Sequence, residues 1–270
     1  MRPIIAAVVA SLLPLMLAPI EMSHAVPARK IVRAKPRPNP KPAPEQCAPA
    51  RFRIVVDVGH TAEALGADSA RNDPEFAFNL RLARLIAEKL KSDGFATTRL
   101  LVTEGRARPS LFKRVNAAND WRADLFLSIH HDAVPDKFLE EWEFEGARSH
   151  FSDRFSGHSL FVSRQNPRYA ASLAFARLLG RELKAQDLTY AHQYTLPLMG
   201  RYRHQLLDKD VGVYRYDQLV VLSRTRRAAV LLEAGSIINR DEEMAMNSPA
   251  RQQVIAAAVA TAMKEFCAKY

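Results

Sequence analysis

The chain has 270 residues and a formal net charge of +10, with 48% hydrophobic and 25% charged residues, sixteen prolines and two cysteines. This composition fits a folded globular protein with an atypical segment attached, and it excludes a collagen-like, disulfide-scaffold or wholly disordered chain. Ten of the prolines and half of the net charge fall in the first fifty residues, which leaves about 220 residues for one sizeable core and too few for two enzyme domains.

Met1-Arg2 precedes an apolar run over 4–20, and Ser23-His24-Ala25 offers small residues where a signal peptidase cleaves. Residues 1–25 read as a secretory signal peptide; the alternative, an uncleaved membrane anchor, suits the short run with its Pro14 and Pro19 poorly. Residues 26–50 interleave Pro with Lys and Arg, a pattern that forms neither a packed helix nor a central strand. They read as a linker, acting either as a solvated spacer or as a cationic tether to anionic wall polymers or phospholipid headgroups. Export predicts a periplasmic protein with no transmembrane anchor after processing. A modest residual charge without aromatic-basic interleaving predicts no nucleic-acid partner. Cys47 and Cys267 sit at the two ends of the domain at 51–270, and in an oxidising compartment they form either a disulfide or two free thiols.

The run 51–58 predicts a buried strand that delivers Gly59-His60 to a loop. Asp73-Pro74 then opens a helix to Gly94, capped by Asp73, with Phe76, Leu80, Ala83, Ile86 or Ala87, and Leu90 on its apolar face. A strand over 95–101, a helix over 110–121 and a strand over 124–129 follow, the last ending at His130-His131. Residues 134–158 read as an insertion of unassigned structure. Further expectations are a strand over 159–163, a helix over 170–186, a strand from 228 with Glu233 at its far end, and a closing helix over 248–268; 187–220 gives no pattern. This rhythm predicts a single α/β domain, a twisted, mostly parallel or mixed sheet of about six strands with helices on both faces.

His60, His130 and Glu233 follow strands, and Glu75 opens a helix. In such sheets the loops beyond the strand carboxyl ends gather along one edge, where ligands bind. Two imidazoles and a carboxylate with an open position form a zinc site of the hydrolase kind. Each residue also has a plain reading: a loop histidine, a helix-start carboxylate favoured by the dipole, or, for Glu233, a salt bridge to Arg114 or Arg227. Asp57 is placed to orient a ligand imidazole. His131 alternates away from His130 and so lines the pocket rim or bonds a carboxylate. The helix-borne HExxH layout is absent, as are GxSxG and GxGxxG.

VVDVGH at 55–60, PEFAFNLRLA at 74–83, TR at 98–99 with LFKRVNAAN at 111–119, ADLFLSIHHDA at 123–133 and AVLLEAGSIINRDEE at 229–243 stand in one order. In that order the chain resembles the zinc-dependent N-acetylmuramoyl-L-alanine amidases of the Amidase_3 family, in a proteobacterial variant. The resemblance implies Zn2+ held by His60, Glu75 and His130, with Glu233 as the catalytic carboxylate. It also implies peptidoglycan as substrate, cut between N-acetylmuramic acid and L-alanine of the stem peptide. Asn239 would shape the substrate groove, and Arg114 would support the fold. The chain departs from the family pattern at Thr61-Ala62, where GHGG is common, and at His131-Asp132, where Ala-Asn is usual. The insertion lies where some cell-division amidases carry a helix that blocks the metal until a protein activator displaces it; here it is either such a device or a surface excursion. The rival functions are another zinc peptidase acting on cell-wall peptides and a non-catalytic peptidoglycan-binding module.

Overall fold

Short apolar runs become strands in this chain because both of their faces are covered. The computed structural model describes residues 47–269; the expected signal peptide and nearly all of the expected linker lie outside them. In chain order the domain contains β1 (Ile54–Val58), α1 (Glu75–Ser92), β2 (Thr98–Leu101), α2 (Ala107–Asp120), β3 (Leu125–Asp132), β4 (Glu140–Phe144), β5 (Ala147–Phe151) and β6 (Ser159–Val162). It continues with α3 (Tyr169–Ala185), β7 (Gln205–Asp208), β8 (Val213–Arg215), α4 (Val220–Ser223), β9 (Ala228–Ser236), α5 (Arg240–Asn247) and α6 (Pro249–Lys269).

Seven strands form one mixed sheet in the order β2-β1-β3-β9-β6-β8-β7, one more than expected. The four strands β2, β1, β3 and β9 run parallel, β6 is antiparallel to β9, β8 is parallel to β6, and β7 is antiparallel to β8. The strand period of two sorts the core into layers. Ile54, Val56, Leu125, Leu127, Val230 and Leu232 pack with α1, α3 and α6, whereas Val55, Phe126, Ala229 and Leu231 pack with α2 and α4.

Several local expectations are corrected. Helix α1 begins at Glu75 behind Pro74, and no side chain caps it, so Asp73 is not the cap. Its fully buried stripe is Phe78, Asn79, Leu82, Ala83, Ile86, Ala87 and Leu90, while Phe76 and Leu80 are only partly covered. The stripe is rotated because the helix presses on β3 and α6 together. Helix α2 starts three residues before the expected position, and β3 runs on through His130, His131 and Asp132 because β9 extends beside it.

The insertion is a β-hairpin, β4 against β5, with Glu145 and Gly146 both at positive φ in the tight turn. Such a turn matches the twist of the flanking strands. It is fastened by Trp142, whose indole N–H donates to the Ala70 carbonyl at 2.8 Å, and by Ser149, which donates to the same oxygen at 2.7 Å.

Cys47 and Cys267 form a disulfide with Cα atoms 5.2 Å apart, joining the start of the described chain to α6. No helix among the described residues is long and apolar enough to cross a membrane.

The disulfide closes a loop of 220 residues. Replacing both cysteines by serine is expected to lower unfolding free energy by about 2–5 kcal/mol. Denaturant unfolding without reductant checks this, and an unchanged midpoint would show that the bond contributes nothing to the fold.

Candidate metal centre

Each residue of the centre arrives on a different element. Chain leaving β1 passes Gly59 and places His60 at φ 65°, a left-handed conformation uncommon outside glycine. That loop is held from beneath by Arg114 of α2. Its guanidinium, 2% exposed, pairs with Asp57 at 3.2 Å and donates to the carbonyls of Val58 and His60. Asp57 also accepts from Ser128 at 2.7 Å. Burial pushes the Asp57 carboxyl up, against the pull of Arg114 and Ser128. Asp57 thus bonds Arg114 and Ser128 instead of a ligand imidazole, and Arg114 supports the loop that carries His60.

Glu75, in the first turn of α1, is 5% exposed. Its Oε2 lies 2.8 Å from His60 Nε2, and its Oε1 lies 2.9 Å from His130 Nδ1. Asn79, one turn later on the same helix face, donates to Oε1 at 3.0 Å. Backbone N–H groups of His131 and Ala67 complete the shell at 3.3 and 3.4 Å. Burial opposes the charge on Glu75, but the bonds from His130 and His60 outweigh it and hold the carboxyl well below its usual range.

One ligand atom from each of His60, Glu75 and His130 lies within 4.8 Å of the others. Two imidazoles and a carboxylate suit a borderline divalent metal with an open coordination position. The packing is cut to this set. A Cβ on Gly59 would stand 2.5 Å from His130 Nε2, and one on Gly66, at φ 86°, would stand 2.5 Å from Glu75 Oε2. The residues therefore fit a metal. The His60 and His130 side chains keep 30% and 18% exposure, so the hairpin does not seal them off.

Glu233 of β9 pairs in register with His130 of β3. Its buried Oε2 has no hydrogen-bond partner, and no salt bridge to Arg114 or Arg227 forms. Burial, reinforced by the nearby charges of Asp132 and Glu75, pushes its carboxyl well above the usual range. His131 points to the α1 side, where its Nδ1 meets the Asn79 amide oxygen at 2.8 Å. It is 3% exposed, and burial lowers its pKa to about 3, so it stays neutral away from the rim. Asn239 caps α5, its Oδ1 accepting from the N–H groups of Asp241 and Glu242, while its amide donates to the Asp153 carbonyl at 3.2 Å.

Asn79, Gly66 and the Asp132–Tyr194 pair were not singled out in the sequence. Asn79 leaves a legible signal, a polar residue within a buried helical stripe four positions after Glu75. The Tyr194 hydroxyl donates to Asp132 at 2.7 Å across 62 residues, which no local pattern announces.

A family model described as N-acetylmuramoyl-L-alanine amidase, Amidase_3, matches residues 54–265. This chain belongs to that family. The amidase is 34% identical over 94 residues to the N-acetylmuramoyl-L-alanine amidase CwlM of Bacillus licheniformis, a match covering 35% of this chain and 37% of CwlM. Its fold resembles the catalytic domain of CwlV, an N-acetylmuramoyl-L-alanine amidase from Bacillus (Paenibacillus) polymyxa. That match has 25% identity and a TM-score of 0.57, and it covers 79% of this chain and 96% of that one. The N-acetylmuramyl-L-alanine amidase of Mycobacterium smegmatis shares the fold at 18% identity, with a TM-score of 0.61 and coverage of 82% and 98%. These relatives support a bacterial amidase and do not single out a proteobacterial variant. Family and cluster together make the chain a metal-dependent amide hydrolase.

Asn79→Leu is expected to weaken metal binding by about 10–100-fold, because the carboxylate and His131 both lose their orienting amide. Competition with a chromophoric chelator measures this, and unchanged affinity would contradict it. Arg114→Leu leaves Asp57 buried without its cation and is expected to cost about 3–5 kcal/mol of stability, read by urea unfolding.

Proposed function

We propose that the amidase hydrolyses the amide between the lactyl group of N-acetylmuramic acid and L-alanine of the peptidoglycan stem peptide. In this reading His60, Glu75 and His130 hold zinc, and Glu233 is the general base and then the general acid. The observation that carries it is Glu233, half-buried beside His130, whose buried Oε2 has no hydrogen-bond partner. A buried oxygen left unsatisfied costs stability, and such groups concentrate at sites of chemistry.

His60, Glu75 and His130 would hold the zinc, which would supply Lewis acidity to the scissile carbonyl and to the attacking water. Glu233 accepts the proton of that water on a carboxylate oxygen and passes it to the alanine nitrogen, which departs as a neutral amine. The Asn79 amide and the backbone N–H groups of His131 and Ala67 orient the Glu75 carboxylate toward the point where His60 and His130 converge. Their exposure supports substrate entry without a protein activator.

Export to the periplasm is part of the same reading. It is supported by the apolar run at 4–20 with the small residues Ser23 and Ala25 after it, and by the pairing of Cys47 with Cys267, which persists in an oxidising compartment.

Digestion of purified peptidoglycan tests the reaction. Metal-loaded protein is expected to release intact stem peptides, and Glu233→Gln to release them at least 100-fold more slowly while still binding metal. Cleavage inside the stem would assign a peptidase instead, and binding without cleavage a non-catalytic module. Chelation is expected to abolish release, with zinc restoring it; full activity after chelation would remove the metal from the mechanism.

A further inference from the structure

A histidine held at positive φ persists only where its surroundings fix it from more than one side. At His60, with φ 65°, Arg114 supplies one hold by donating to the carbonyl. The next residue supplies another. Thr61 is wholly buried although it lies in a loop. Its hydroxyl donates to the Gly105 carbonyl at 2.7 Å and accepts from the Glu63 backbone N–H at 3.2 Å. Thr61 and Ala64 also exchange backbone hydrogen bonds at 3.1 and 3.2 Å, which closes residues 61–64 into a tight turn.

From that turn the Glu63 side chain reaches the same distant residue, its Oε2 accepting from the Gly105 N–H at 2.9 Å. This bond is the chief reason that the Glu63 carboxyl lies below its usual range. The loop therefore engages both polar groups of Gly105, one through a hydroxyl and one through a carboxylate. Gly105 stands at φ 102°, a conformation that residues with a Cβ rarely adopt. Crowding is not what calls for glycine there, since an added Cβ would meet only Lys113 Nζ, at 3.4 Å.

The two holds belong to one piece of chain. Gly105 lies two residues before α2, and α2 carries the Arg114 guanidinium that bonds the Val58 and His60 carbonyls. The loop after β1 is thus bonded to residues 105–114 on both sides of the His60 peptide. The His60 side chain needs such a backbone hold, because it keeps 30% exposure and packing does not enclose it. Ligand atoms serve a metal only when held to within about 0.5 Å of their working positions. Thr61 is itself no ligand, because its hydroxyl is buried and engaged as donor and acceptor. It is also where the chain departs from the GHGG pattern, with a hydroxyl in place of a glycine.

We propose that Thr61 is a positioning residue of the metal centre: its hydroxyl, together with the Glu63 carboxylate, clamps the loop onto Gly105 and so keeps His60 in its ligating conformation. The proposal rests on the reading of His60 as a metal ligand and adds to it the contact that aims this ligand.

Competition of the full chain with a chromophoric zinc chelator tests the clamp, and amide exchange over residues 59–66 of the metal-free chain reads the loop directly. Thr61→Val keeps the shape of the side chain and loses the hydroxyl, whereas Thr61→Ser keeps the hydroxyl. Thr61→Val is expected to bind zinc about tenfold more weakly and to exchange faster over 59–66, while Thr61→Ser stays within about twofold of the wild type. Gly105→Ala, which disturbs the same contact from its other side, is expected to give a similar loss. The two changes combined are expected to cost no more than the larger single one, because they break one contact. A role confined to fold stability would lower the urea midpoint of the metal-free chain and leave zinc affinity unchanged. Wild-type affinity in Thr61→Val, or an equal loss in Thr61→Ser, overturns the clamp alone. Absence of zinc binding by the wild-type chain overturns the metal reading, and the clamp with it.

Discussion

A carboxylate taken almost wholly out of water must be met by donors or give up its charge. At Glu75 that constraint organises the centre. The first turn of α1 places the group beneath the loops after β1 and β3, and His60, His130 and Asn79 all close on it. Gly59 and Gly66 are small because a side chain at either would strike the ring or the carboxylate. The same requirement reaches through Arg114, which fixes the loop in the conformation that lets His60 reach inward. Metal affinity and local folding are consequently one problem in this domain, since the groups that would hold an ion hold one another.

Glu233 has the opposite environment. No arginine answers it, and the adjacent acids raise its proton affinity further. The chain thus carries two glutamates at one sheet edge, one buried and held ionised by donors, the other half-buried and left with strong demand for a proton. Environments that separate the behaviour of like groups are how a site divides roles between them.

Much of this was legible in the sequence for a physical reason. Short β-branched and leucine runs bounded by turn residues favour buried strands, and polar residues at the carboxyl ends of such strands gather along one edge, so the neighbourhood of His60, His130 and Glu233 was legible. Glu75 was legible as a helix start, although the packing that rotates its helix was not. The region 187–220 stayed opaque because its shape comes from distant partners: Tyr194 bonds Asp132, and the Tyr214 hydroxyl bonds the Ala191 carbonyl at 2.5 Å. The hairpin hid behind the Glu145-Gly146 turn, which lacks the usual Asn-Gly or Asp-Gly signature. Asn239 shows the converse: a residue prominent in a matching block has its side chain engaged in capping a helix.

The bond between Cys47 and Cys267 lies at the amino end of β1, the far side of the sheet from the ligands. Phe52 and Phe266 pack together beside it, with ring centroids 6.2 Å apart. The bridge makes the chain ahead of β1 and the last turns of α6 one covalent unit, so fraying at either end of the described chain cannot proceed without opening the other.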